Sequence, residues 1–224
     1  MTKIIGCIFS YDITKGMKSF GPKGLLKSKK SDELINCQIN NILHTTDNIC
    51  VITGFGSEKL IKRINPLYDI ETIHNAEFNN YNEGHALELL LDKYTDDCSG
   101  ILLLSNGLLL NVKIKDYAKS TIYTVKRTNN NSFNLGCIFD KNVLENIFYD
   151  IGTSVWCEAV FLSQKEIDVI QAYRQNTNIK NMFLFEIIAN TIMYGAEYFQ
   201  EDILLKNAIK IKCIKDSSKI KGII

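Results

Sequence analysis

A three-layer α/β fold around a mostly parallel sheet is what this chain predicts, and three features carry the expectation. Apolar runs without polar alternation recur at Ile4-Ile5-Gly6-Cys7-Ile8-Phe9, Ile49-Cys50-Val51-Ile52 and Ile101-Leu102-Leu103-Leu104, the pattern of strands covered on both faces. Segments with helical apolar spacing lie between them, so strands and helices alternate. From Ile114 to Phe139 the pattern changes to short β-like pieces split by Thr128-Asn129-Asn130-Asn131, which predicts a small antiparallel excursion.

Taken in order, residues 3–9 form a buried first strand. Asp32-Glu33 followed by Leu34, Ile35, Ile39, Ile42 and Leu43 gives an acid-capped helix with one apolar stripe. Asn48–Gly54 is a second strand ending in a glycine turn, and Ser57–Ile64 the helix after it. A short strand near Tyr68–His74, a helix from Glu83 to Tyr94 and the strand Ile101–Leu104 follow. The antiparallel pieces are Ser120–Val125 and Phe133–Phe139. Helical spacing returns at Lys141–Tyr149, Lys165–Arg174 and Asn181–Tyr194, and a last strand, Ala208–Ile214, runs into Lys215-Asp216-Ser217-Ser218. There is no internal repeat, linker or low-complexity tract, so residues 1–224 read as a single domain.

Composition narrows the function. The chain is 46% hydrophobic and 23% charged, enough to bury a substantial core. Its net charge of +1 argues against a broad nucleic-acid footprint, and Lys27-Ser28-Lys29-Lys30 reads as a solvated loop. No apolar run approaches the ~20 residues of a membrane span. Seven cysteines without a Cys-x-x-Cys pair read as reduced, buried thiols, and with no signal-peptide pattern a cytoplasmic location is expected. His44, His74 and His85 lack a spacing suited to a shared metal, and no Gly-x-x-x-x-Gly-Lys-Ser/Thr run or Gly-x-Ser-x-Gly elbow supports an ATPase or hydrolase.

The chemistry gathers after the first strand. A buried strand that ends in a polar loop with a fixed lysine can hold phosphates at the carboxyl edge of a sheet. Here the loop is Ser10–Ser19 and the lysine is Lys23, in Phe20-Gly21-Pro22-Lys23-Gly24-Leu25-Leu26. In the second half, Glu158 and Glu186 stand inside apolar runs, where an acid is costly unless it is paired or faces a cavity. Trp156, the one tryptophan, has a core reading as well as a binding one.

With its Pro22-Lys23-Gly24-Leu25-Leu26, Asp32–Leu43, Val51-Ile52-Thr53-Gly54-Phe55, His74-Asn75-Ala76-Glu77-Phe78 and Tyr81–Leu87, the chain resembles the sugar-phosphate and choline-phosphate nucleotidyltransferases over nearly its whole length. That resemblance implies a glycosyltransferase-A-like, Rossmann-type fold. It implies that Lys23 holds phosphate oxygens and that Lys15, together with Ser10 in the loop, stands where the family has a glycine-rich stretch with an arginine. Asn82 then contacts base or acceptor, or else simply caps its helix. Ser154–Ser163 resembles the acceptor-side segment with its aromatic and acid, Trp156 and Glu158, and Met182–Ile188 the next helix with its glutamate, Glu186.

One departure stands at the implied Mg²⁺ site, and the opening loop, with Ser10 for the first glycine, is the other. Family members end the strand equivalent to Ile101–Leu104 with Gly-Asp, and this chain has Ser105-Asn106-Gly107. Asn106 keeps an oxygen ligand without the charge a hard cation prefers. The second metal aspartate matches Asp216, which also reads as a turn residue. The resemblance implies transfer of a nucleoside monophosphate from a nucleoside triphosphate of the CTP or UTP class to a phosphorylated small molecule, a sugar phosphate or a phosphocholine-like one, with release of pyrophosphate. The Asn106 and loop departures favour the runner-up reading, a nucleotide- or nucleotide-sugar-binding module without turnover that acts as a regulator or assembly partner. A glycosyltransferase would want an Asp-x-Asp motif, and Asp96-Asp97 precedes the relevant strand.

Overall fold

The computed structural model describes residues 3–13, 18–19, 21–27, 33–64, 66, 68–105, 107–109, 111–128 and 133–210. Its first half alternates β1 (Ile4–Ser10), α1 (Leu34–Leu43), β2 (Ile49–Thr53), α2 (Ser57–Ile64), β3 (Glu71–His74), α3 (Glu83–Tyr94) and β4 (Gly100–Leu104). β3, β2, β1 and β4 pair side by side, all parallel. Every residue of β1, β2 and β4 is buried, as their unbroken apolar runs require. Successive side chains of β1 go to opposite faces. Ile5, Cys7 and Phe9 pack with Leu87 and Leu91 of α3, Ile170 of α4 (Gln164–Asn176) and Ile187 of α5 (Leu184–Ile192). Ile4 and Ile8 pack with Ile35 and Ile39 of α1 and Leu60 of α2. Helices thus cover both faces, and each fully buried aliphatic side chain contributes about 1.5–3 kcal/mol.

The second half is far more antiparallel than the sequence suggests. After the short β5 (Gly107–Leu109) come β6 (Ser120–Lys126), β7 (Leu135–Asp140), β8 (Val143–Tyr149) and β9 (Ser154–Ser163). β10 (Tyr198–Asp202) and β11 (Ala208–Lys210) follow the last two helices. The sheet runs β3-β2-β1-β4-β9-β6-β10-β8-β7, and β7 returns to pair with β9. Strands β9, β6, β10, β8 and β7 therefore close into a ring of pairings, all antiparallel except β10 on β6. The fold is mixed α/β, and the expected mostly parallel sheet with a small excursion is corrected to a parallel half joined to an antiparallel one. β11 pairs with β5 in a separate ribbon.

The expected helix at 141–149 is a strand. Leu144 and Ile147 are both buried in the same cluster although three residues apart. A register shift explains this: Ile138 faces Asn146 while Phe139 faces Leu144, so a bulge at residue 145 breaks the alternation of two. The resulting spacing imitates one turn of helix. β9 and β10 carried no strand assignment from sequence. Among the described residues no helix is long and apolar enough to cross a membrane.

Candidate active site

Chain direction across the sheet sets the site. β1 leads outward to β2 and β3 on one side, and the chain then returns through α3 to place β4 on the other side of β1. The carboxyl ends of β1 and β4 thus flank the point where strand order reverses, the crevice in which open α/β sheets bind ligands. A cavity of about 590 Å³ opens there, with Phe9, Tyr11 and Asp12 from β1 and its exit and Ser105 from the end of β4. Its size suits a small organic ligand.

Three local devices shape the near wall. Gly54 follows β2, and a Cβ there would come within 2.7 Å of the Tyr11 carbonyl oxygen, so only glycine lets the exit of β1 close onto β2, where Phe55 N–H donates to Tyr11 O at 2.9 Å. Asn75 is buried and its side chain accepts the Glu77 N–H at 3.0 Å. The turn so formed delivers Phe78 to the cavity. The Pro22-Lys23-Gly24 segment folds as a short 3-10 turn over Lys23–Leu25, and a Cβ on Gly24 would meet Ser10 Oγ at 3.0 Å. Lys23 is thereby buried beside the end of β1, its Nζ 3.5 Å from Asp12 Oδ2.

The floor is acidic. Glu83 opens α3; its carboxylate accepts the Ser105 hydroxyl and, at 2.9 Å, the backbone N–H of Leu184 at the start of α5. Burial pushes the Glu83 carboxyl above its ordinary range; the two hydrogen bonds oppose that shift and the nearby Glu158 charge adds to it. Burial likewise raises the Tyr11 phenol, with Glu83 and Asp12 contributing.

Glu158 is held in the cavity wall by an irregularity of β9. Between the pairs Ile122–Val160 and Thr124–Trp156, one residue of β6, Tyr123, faces three of β9, so residues 157–159 bulge. Glu158 sits there at φ 58°, in the left-handed region, a strained choice for a residue with a long side chain. Trp156 Nε1–H closes the bulge by donating to Ala159 O at 2.7 Å, and Ser105 N–H donates to Glu158 O at 3.0 Å. The Glu158 carboxylate pairs with Lys210 of β11, and both line the cavity. Aromatic rings make the far wall. Phe183 stacks on Phe185 at 6.0 Å between centroids, and Tyr149 meets Phe185 edge-on at 5.4 Å.

The residues read from sequence separate clearly. Asn82, Trp156 and Glu158 all line the cavity. Asn82 stands at the start of α3 without capping it; its Nδ2 donates to Asn181 O at 2.5 Å and ties α3 to the loop before α5. Lys23 is one step from the cavity through Asp12, and Ser10 lies buried behind it. Glu186 is not in the wall. Its carboxylate accepts Phe183 N–H at 2.7 Å, fixing the start of α5 and so the stacked phenylalanines. Lys15, Asn106 and Asp216 lie outside the described residues. Sequence reading missed Glu83, which looks like an ordinary acid at a helix start, and Lys210, hidden in the alternation of the last strand.

Solved structures with this arrangement are numerous. CTP:phosphocholine cytidylyltransferase from Streptococcus pneumoniae superimposes with a TM-score of 0.81 over 99% of both chains at 16% identity. The chain has a nucleotidyltransferase fold. Two more structures agree: the inositol-1-phosphate CTP transferase of T. maritima, with TM-score 0.71, 12% identity and 99% and 98% coverage, and a nucleoside-diphosphate-sugar pyrophosphorylase from Vibrio cholerae RC9, with 0.73, 11%, 96% and 98%. No family model and no curated protein matches the sequence itself.

Within this nucleotidyltransferase fold, the described carboxylates do not by themselves fit a divalent cation. No group of three His, Cys, Asp or Glu side chains among the described residues could hold one. Glu83 is engaged by Ser105 and Leu184, and Glu158 by an ammonium. The Mg²⁺ expectation rests on Asn106 and Asp216 alone.

Proposed function

We infer that this chain transfers a nucleoside monophosphate from a nucleoside triphosphate of the CTP or UTP class to a phosphorylated small molecule, and that the acceptor is phosphocholine-like. An acceptor phosphate oxygen attacks the α-phosphorus, the bond to the bridging oxygen breaks, and pyrophosphate departs. Such a transfer needs alignment and charge neutralisation more than covalent help from the protein. Lys23 at the carboxyl end of β1, with Lys15 from the same loop, supplies positive charge to the phosphates. Asn82 and Trp156 frame the base and acceptor, and Glu186 steadies the wall that receives them. Mg²⁺ held by Asn106 and Asp216 belongs to this proposal as a charge-neutralising ion.

The observation that carries the acceptor reading is Glu158, fixed by a strained bulge in a cavity walled by Tyr149, Trp156, Phe183 and Phe185. A carboxylate among ring faces suits a quaternary ammonium through ion pairing and cation–π attraction, whereas a sugar would want more neutral hydrogen-bonding groups. Pyrophosphate release with CTP or UTP should be fastest with phosphocholine and slow with glucose 1-phosphate; faster release with the sugar phosphate would reverse the acceptor assignment. The Ser105-Asn106-Gly107 sequence favours a second reading, a nucleotide-binding module without turnover. Saturable triphosphate binding with no pyrophosphate released from any acceptor would establish it instead.

A further inference from the structure

The Glu158–Lys210 pair is an unusual element in a binding wall, because it fills the cation seat with a cation of the protein's own. Both side chains are almost wholly buried, at 8% and 14% exposed. Glu158 Oε2 is buried and has no hydrogen-bond partner among the described residues, so the carboxylate is only half used. The Lys210 ammonium also lies 5.9 Å from the centre of the Phe133 ring, and its strand is anchored opposite Gly107 in the β5–β11 ribbon.

We propose that Glu158 and Lys210 form an exchangeable ion pair that selects acceptors carrying a cation and a phosphate together. The acceptor's ammonium takes the place of Lys210 at Glu158, and its phosphate takes the place of Glu158 at Lys210. The inference rests on the phosphocholine-like acceptor reading above. Its logic is that of buried charge: separating a buried pair is tolerated only if both members find new partners. A ligand with the cation alone strips Glu158 and leaves Lys210 unpaired. A ligand with the phosphate alone takes Lys210 and leaves Glu158 unpaired, beside the second acid Glu83, which already feels its charge. Only the doubly charged ligand replaces one pair by two. Unphosphorylated choline and phosphate esters that lack a cation are therefore both rejected by one device.

Calorimetry with three probes tests this. On the wild-type protein, phosphocholine should bind at least ~100-fold more tightly than choline and at least ~100-fold more tightly than 3,3-dimethylbutyl phosphate, the carbon analogue that keeps the phosphate and lacks the cation. In the double variant Glu158→Gln/Lys210→Met, whose fold is checked by circular dichroism, the three probes should fall within about tenfold of one another. The proposal is overturned if either singly charged probe binds the wild type within tenfold of phosphocholine, or if the folded double variant keeps the wild-type preference. Should the double variant not fold, the wild-type comparison decides alone. If phosphocholine and choline both fail to bind while glucose 1-phosphate binds, the acceptor reading itself is wrong and the exchange falls with it; if both bind equally well, that reading stands and only the exchange is lost.

Discussion

The carboxylate of Glu83, in the first turn of α3, accepts the backbone N–H of Leu184, in the first turn of α5, at 2.9 Å. One acid therefore ties the amino ends of two helices beneath the cleft, where a negative charge is favoured by both. Because burial raises its carboxyl, the folded protein holds a proton on Glu83 at pH values where the unfolded chain has lost it. The folded state binds more protons there, so stability should fall as pH rises from the ordinary glutamate range to the raised value. Glu83→Gln keeps an acceptor for Leu184 and should flatten that decline, whereas Glu83→Ala should cost about 1–3 kcal/mol by orphaning the N–H. Urea midpoints across pH for the three proteins decide; an unchanged slope in Glu83→Gln would refute the assignment.

Lys23→Ala should weaken triphosphate binding by about 1.5–3 kcal/mol, the worth of one charge-assisted phosphate contact. A substitution of exposed Lys59 serves as the control. Equal affinities for Lys23→Ala and the control would remove Lys23 from the phosphate site.

Gly84 sits in the first turn of α3 against the loop before α5, and a Cβ there would overlap the Ile179 carbonyl oxygen. Backbone cannot yield as a side-chain tip can, so Gly84→Ala should lose about 1–3 kcal/mol of stability. Acceptor affinity should suffer with it, because the same loop carries the chain to Phe183. Thermal melts and acceptor titrations measure the two effects, and a variant as stable as wild type would show that the loop is not seated on α3.

Trp156 is the chain's one tryptophan and lines the cavity beside Glu158. Acceptor binding should therefore change the intrinsic fluorescence, saturating with the calorimetric affinity. Trp156→Phe loses the bond to Ala159 O that closes the bulge. It should raise the acceptor KM several-fold while leaving the triphosphate KM within about twofold, since the loss is of the order of one buried hydrogen bond. Equal increases in both constants would mean that the bulge serves the whole cleft.

How much of this was legible in the sequence depends on how far apart the deciding residues lie. β1, β2 and β4 announce themselves because burial on both faces leaves an unbroken apolar run, and α3 and α4 because their stripes are local. β8 misleads because the bulge at residue 145 brings Leu144 and Ile147 to one face at helical spacing. β10, reading Tyr198-Phe199-Gln200-Glu201-Asp202, is polar enough to pass for a loop, and only its partners β6 and β8 make it a strand. At the site, Trp156 and Glu158 stood out as an aromatic and an acid in an apolar run. Their relation to Lys210 depends on a crossing of the chain more than fifty residues later, and no local pattern encodes it.

β9 has a mechanical consequence. Over Ala159–Ser163 it is bonded to β4 of the parallel half, and over Ser154–Val155 to β7 of the antiparallel half, with β6 along its other edge. It crosses beneath the cleft as one continuous beam, so the two halves cannot swing apart like the shells of a clam without tearing its hydrogen bonds. Access to the cavity must come from the rims, the exits of β1 and β8 and the turn at Phe78, while the frame stays put. Small-angle scattering should accordingly return the same radius of gyration for the free protein and the protein saturated with both substrates.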